Sequence, residues 1–228
     1  MGKFDVVLID ADNTILDFTK AERESLVSAF HDNDLYIDDR ILSSYININK
    51  SLWEKFEKNE VTKERLKVER FELLFKSLNI SFDAVKMDKE YRNKLSRNSA
   101  VIDGAIDLCN QIRKMAKLYI VTNGVSETQY RRLNKAGILQ YVNNVFVSED
   151  AGAQKPAKEF FKYVFEHIEH CDLSRTIILG DSLSSDIQGG INAGISTCWF
   201  NPEGACNKSE IMPDFEIKSL KEFIGIIN

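Results

Sequence analysis

The chain has 228 residues, 30 Lys+Arg against 35 Asp+Glu, and a formal net charge of −5. With 43% hydrophobic and 29% charged residues, only three prolines and eleven glycines, it excludes collagen-like and low-complexity chains and fits a soluble globular protein of one to two domains. An acidic balance without a Lys/Arg run argues against a duplex nucleic-acid binder, which neutralises phosphates with clustered cations, and leaves a nucleotide ligand open.

No apolar stretch approaches the ~18 residues of a membrane span, and the start of the chain lacks a signal-peptide pattern, so neither membrane association nor export is expected. The four cysteines, Cys109, Cys171, Cys198 and Cys206, form no CxxC pair. That disfavours a disulfide scaffold and a structural zinc site, and a reducing cytoplasm is the expected compartment.

Phe4 to Ile9 is an apolar, β-branched run of the kind that forms a strand buried on both faces, and it ends on DADNT. Between residues 16 and 98 the strand pattern vanishes. Apolar residues there recur at helical spacing, as in Phe71, Leu74, Phe75 and Leu78, which predicts an all-helical insertion. Thr19 with Glu22 has capping-box spacing at its entry, and the charged run Lys63 to Glu72 reads as the wet side of a helix.

Strand character returns at Leu118 to Val121, more weakly at Val145 to Val147, and again at Thr176 to Leu179 and Ile195 to Phe200. Helical patterns cover Ser126 to Ala136, Ala157 to His170 and Ser184 to Ala193. Ser126/Gln129 and Ser185/Gln188 are spaced as capping boxes, with Gly137 and Gly194 as C-caps. Strands alternating with such helices predict a Rossmann-like, doubly wound parallel sheet. The expected architecture is an α/β core of residues 1–15 and 99–228, interrupted by a helical cap of residues 16–98 over the carboxyl end of the first strand.

Ligands of open parallel sheets sit outside the carboxyl ends of the strands. Those ends carry Asp10 and Asp12, then Thr122, Asn123 and Gly124, then Lys155, and finally Asp181 with Asp186. Carboxylates gathered so closely repel unless a cation sits among them. Oxygen ligands without nearby His or Cys favour Mg²⁺ over zinc, and Lys155 supplies charge for a second anion. The combination suits phosphate chemistry. His167 and His170 lack a third ligand and read as a solvated helix end, Cys198 beside Trp199 reads as core, and GGINAG lacks dinucleotide-loop spacing.

The ordered set DADNT, VTNG, Lys155 before Pro156 and GDSLSSD resembles the haloacid dehalogenase superfamily, specifically its phosphatases with a helical cap, along essentially the whole chain. The resemblance implies that Asp10 is the nucleophile that forms an aspartyl phosphate and that Asp12 is the general acid and base. It implies Mg²⁺ on the Asp10 carboxylate, the Asp12 carbonyl and Asp181, with Asp186 in support. Thr122 and Lys155 would hold phosphoryl oxygens, helped by amides around Ala11 to Asn13 and at Asn123. The segments DADNTILDF, NKSLWEKFEKNEVTKERLKVERF, VSEDAGAQKP and GDSLSSDIQGGINAGISTCWFNP are similar to the pyrimidine 5′-nucleotidases. That narrower resemblance implies nucleoside 5′-monophosphate substrates and places Asn49, Trp53 and Arg70 as candidate base or ribose contacts. For Trp53 and Phe56 the competing assignment is packing inside the cap.

Several rivals share parts of this pattern. A phosphatase or phosphomutase acting on sugar phosphates or phosphoglycolate keeps every motif and differs in substrate or product. A dehalogenase needs neither Asp12 nor Asp181. A phosphorylation-switch receiver carries its acceptor aspartate after a middle strand, and a noncatalytic phosphate-binding module has no use for the intact Asp10 and Asp12 pair. A nucleotide kinase lacks its GxxxxGK[ST] loop here. The expected state is a monomer or weak homodimer.

Overall fold

The computed structural model describes residues 2–228. They form two compact units, one of the residues up to Phe18 with Ser99–Asn228, the other of Thr19–Asn98. The division falls after Phe18 and not after residue 15. Leu16 bridges to Val101, and the Asp17 amide donates to the Ala100 carbonyl at 3.0 Å, which ties these residues to the sheet-bearing unit.

In chain order, strand β1 (Val6–Ile9) precedes four helices: α1 (Phe18–His31), α2 (Asp39–Glu57), α3 (Lys63–Leu78) and α4 (Ala84–Ser96). The helical unit packs Leu26, Phe30, Tyr45, Phe71, Leu74, Phe75 and Tyr91 in its interior, as the helical spacing of these apolar residues requires. Helices α2, α3 and α4 start on side-chain caps: Asp38, Thr62 and Asp83 each accept from a backbone N–H of the first turn.

The α/β unit continues with α5 (Ala105–Ile112), β2 (Lys117–Thr122), α6 (Ser126–Lys135), β3 (Asn144–Val147), the single turn α7 (Ser148–Ala151), α8 (Lys158–Glu166), β4 (Thr176–Gly180), α9 (Gln188–Ala193), β5 (Ser196–Phe200), β6 (Phe215–Ile217) and α10 (Leu220–Ile227). All five strand pairings are parallel, in the order β3-β2-β1-β4-β5-β6. The strand order reverses between β1 and β4, which creates a crevice at their carboxyl ends. Ile9 pairs with Ile120 on one side and Leu179 on the other, so Asp10 emerges at the level where β2 and β4 finish. One sheet face is covered by Leu108, Cys109, Ile112, Phe223 and Ile227, the other by Phe160, Phe161 and Val164. Among the described residues no helix is long and apolar enough to cross a membrane.

Several sequence expectations need correction. The first strand begins at Val6, two residues inside the apolar run that starts at Phe4. The helix expected to reach His170 stops at Glu166, with His167 as its C-cap. Neither expected capping box in the α/β unit forms. Helix α6 has Val125 as its N-cap, with no side-chain bond. Ser185 lies inside a π-helical turn, Leu183–Ile187, that is capped by Ser182. A complete box does occur at Ser219 and Glu222 of α10, which the sequence reading passed over together with the three-residue edge strand β6.

Candidate active site

The centre of the site is a buried ion cluster. Asp10 follows β1 and is 8% exposed; Lys155, in the loop between α7 and α8, is 1% exposed. The Lys155 ammonium donates to Asp10 Oδ1 at 2.6 Å, to Asp186 Oδ1 at 2.6 Å and to the Val121 carbonyl at 2.8 Å. An ammonium has three N–H donors, and these three acceptors match them. Asp186 accepts a second bond, on Oδ2, from the Ser182 amide at 3.1 Å. A Cβ on Gly180 would fall 2.3 Å from Asp186 Cγ, so the glycine that ends β4 makes room for this carboxylate.

Asp181 sits at the end of β4, and its carbonyl accepts from Trp199 Nε1 at 2.8 Å. The Thr14 hydroxyl lies 3.5 Å from Asp10 Oδ2 and 3.4 Å from Asp181 Oδ1, and it accepts the Asp181 amide at 3.1 Å. Thr14 is reached through a tight turn in which Asn13 takes φ 57°, a conformation Asn tolerates better than most side chains. One oxygen each from Asp10, Asp181 and Asp186 lies within 4.8 Å of the others.

Burial, together with the charges of Asp186, Asp181 and Asp12, pushes the Asp10 carboxyl well above the usual carboxylate range, against the opposing pull of Lys155. Burial and the neighbouring Asp186 push Asp181 up to about 7. Burial alone would lower the Lys155 value, but Asp10 and Asp186 overcome it and raise the ammonium above its ordinary value. Three carboxylates against one lysine leave an excess of negative charge in a buried place. An all-oxygen donor set of this kind fits a hard divalent cation.

Asp12, two residues past Asp10, points its carboxylate to α6. Oδ2 accepts from Gln129 Nε2 at 2.7 Å and Oδ1 accepts from Arg132 Nη1. Arg132 is fully buried and lies 5.7 Å over the Phe18 ring. Thr122, at the end of β2, accepts from Gln129 Nε2 at 2.9 Å and from the Gly124 amide at 3.0 Å. The Asn123 side chain binds the Lys155 backbone in both directions, at 2.9 and 3.0 Å.

The structure thus brings Asp10, Asp12, Thr122, Asn123, Gly124, Lys155, Asp181 and Asp186 to one end of the sheet. Sequence reasoning missed Thr14, Gln129 and Arg132. Thr14 closes the DADNT motif and so carried a signal; Gln129 was assigned to a helix cap, and nothing in the pattern distinguishes Arg132 from a surface residue of α6.

The candidates in the helical unit have a different setting. Asn49 and Arg70 are 3% and 4% exposed. Arg70 donates to Asn49 Oδ1 at 3.2 Å and to Asp88 Oδ1 at 2.8 Å, and Asn49 Nδ2 donates to Glu22 at 2.7 Å. Asp88 also accepts from Arg92 at 2.7 Å. The expected role of Asn49 and Arg70 as substrate contacts gives way to an internal polar network that ties α1, α2, α3 and α4. Trp53 is half-buried against Leu52, Phe56 and Leu66, its ring edge-on to Phe56 at 5.5 Å, which agrees with packing.

Residues 4–194 match the haloacid dehalogenase-like hydrolase family. The chain is 42% identical to the HAD-hydrolase YfnB of Bacillus subtilis, covering 100% of this chain and 97% of that protein. The solved structure of YfnB bound to magnesium superposes with a TM-score of 0.94 over 99% of each chain. The pyrimidine 5′-nucleotidase YjjG of Escherichia coli is 34% identical, covering 96% of both chains. The pyrimidine 5′-nucleotidase PynA of Streptococcus pneumoniae is 32% identical, covering 97% of this chain and 94% of that one. With a family match over most of its length and relatives of this identity along the whole of it, the chain belongs to the haloacid dehalogenase-like hydrolases.

Proposed function

We propose that this hydrolase is a Mg²⁺-dependent phosphomonoesterase that cleaves nucleoside 5′-monophosphates, pyrimidine ones preferred, through an aspartyl phosphate on Asp10. The observation that carries the reading is the buried Asp10 carboxylate, held on one oxygen by Lys155 and set beside Asp181 and Asp186. The likeness to PynA and YjjG supports the substrate class.

Asp10, Asp181 and the backbone carbonyl of Asp12 would hold the Mg²⁺, with Asp186 anchoring Lys155 alongside. When bound, the ion offsets the carboxylate repulsion and neutralises phosphoryl charge. The residues themselves account for the bond changes. An Asp10 oxygen attacks phosphorus in line, the bond to the ester oxygen breaks, and Asp12 delivers a proton to that leaving oxygen. Asp12 then takes a proton from water, whose oxygen attacks phosphorus and frees Asp10 with release of phosphate. Thr122 orients a phosphoryl oxygen. Lys155, with its donors engaged by Asp10, Asp186 and Val121, contributes fixed positive charge beside the nucleophile.

Phosphate release from a panel of nucleoside monophosphates, sugar phosphates and phosphoglycolate, with Mg²⁺, with EDTA and with Asp10→Asn, tests the proposal. Mg²⁺-dependent turnover of UMP, dUMP or TMP above the sugar phosphates is the expected result. Turnover confined to sugar phosphates or phosphoglycolate rejects the nucleotide assignment, and persistence of activity in Asp10→Asn rejects the mechanism.

A further inference from the structure

The chemistry proposed above gives no role to Gln129, a polar side chain of α6 that is 1% exposed and lies between two groups of the site. Its amide has two N–H donors and one carbonyl oxygen. Arg132 Nη1 donates to Gln129 Oε1 at 3.3 Å, which fixes the orientation of the amide and leaves Nε2 facing the other way. The two Nε2 hydrogens then go to Asp12 Oδ2 at 2.7 Å and Thr122 Oγ1 at 2.9 Å.

The consequence falls on Thr122. A hydroxyl has two acceptor lone pairs and one donor hydrogen. Thr122 Oγ1 accepts from Gln129 Nε2 and from the Gly124 amide at 3.0 Å, so both lone pairs are filled. Its own hydrogen is left only the role of donor. Gly124 permits this arrangement: a Cβ there would lie 2.6 Å from Gln129 Nε2.

We propose that Gln129, fixed by Arg132, is a positioning residue that turns the Thr122 hydroxyl into a dedicated hydrogen-bond donor to a phosphoryl oxygen. The inference rests on the phosphate-handling reading of the site and adds a residue to it. Without Gln129 the hydroxyl is free to rotate and to use a lone pair toward other donors, so its bond to an anion is no longer prepared in advance.

The test is a double-mutant cycle on binding of inorganic phosphate to the Mg²⁺-supplied protein, by calorimetry, with Gln129→Leu, Thr122→Val and the double variant. Gln129→Leu should weaken phosphate binding about tenfold, the scale of one hydrogen bond to a charged group. In the Thr122→Val background the same change should cost less than about twofold. Gln129→Met, close in size and uncharged but without an N–H to donate to Thr122, should weaken phosphate binding as Gln129→Leu does while its circular dichroism spectrum stays native. That variant separates positioning from folding. An equal loss in both Thr122 backgrounds, or wild-type phosphate affinity in a folded Gln129→Met, overturns the inference and leaves the phosphatase reading standing. Failure of the wild-type protein to bind phosphate or release it from any ester overturns both.

Discussion

Asn123 and Lys155 are locked together by reciprocal hydrogen bonds: the Lys155 amide donates to Asn123 Oδ1 at 2.9 Å, and Asn123 Nδ2 donates to the Lys155 carbonyl at 3.0 Å. The Asn123 amide also reaches Ser185 Oγ at 3.3 Å, one residue before Asp186. A residue at the end of β2 thereby braces the backbone that delivers the lysine and approaches the turn that delivers its acidic partner. Replacing it with Ala should misplace Lys155 and lower kcat by roughly 10- to 100-fold, since displacements of about 1 Å in a catalytic constellation have effects of this order. Asn123→Asp keeps the acceptor and loses the donor, so it should fall between. Steady-state rates of the two variants check this; wild-type kcat in Asn123→Ala would show that the brace is dispensable.

Asp10→Asn should abolish turnover while the circular dichroism spectrum stays native. The same substitution removes one member of a crowded carboxylate group, so the metal-free variant should melt at a higher temperature than metal-free wild type at pH 8. Melting curves and phosphate-release assays on one preparation test both halves.

Asp12→Ala should lower the rate at least ~10²-fold, the usual scale of general acid and base work. A change of only a few-fold would remove its assigned role.

The raised carboxyls of Asp10 and Asp181 give stability a defined pH dependence without metal. Asp181 titrates near 7 in the folded chain against the usual carboxylate value near 4 when unfolded, so between these limits the folded state holds more protons. Stability therefore falls as pH rises through that window, the reverse of a salt-bridged aspartate. Mg²⁺ should compete with those protons. Its stabilising shift in melting temperature is expected to be large at pH 8 and small at pH 5, and a Mg²⁺ shift independent of pH would contradict the proposed ligands.

In the helical unit, Arg70→Met leaves Asp88 buried and facing Arg92 alone, after loss of a 2.8 Å pair whose two side chains are 5% and 4% exposed. Breaking one partner of a buried pair typically costs about 3–5 kcal/mol. Urea unfolding should show a loss of that order. A stable variant with a raised KM would instead return Arg70 to the substrate-contacting role first expected of it.

The sequence by itself determined the layered architecture and the strand ends that carry the candidate site. A strand buried on both faces must be a continuous apolar run, and VVLI before DADNT or TIILG before Asp181 shows this without reference to any distant residue. Motif order then singled out Asp10, Asp12, Lys155, Asp181 and Asp186 as candidates. Only the tertiary structure decided which buried polar groups face each other. Asp12 and Gln129 are 117 positions apart, and Lys155 and Asp10 are 145 apart. Periodicity reports which face of an element is covered, and does not report the partner of a polar side chain on that face. For this reason Gln129 read as a helix cap and Arg70 as a ligand contact. Hydrogen-bond capacity and burial, settled when the chain closed on itself, place the first beside Thr122 and Asp12 and the second in the interior of the helical unit.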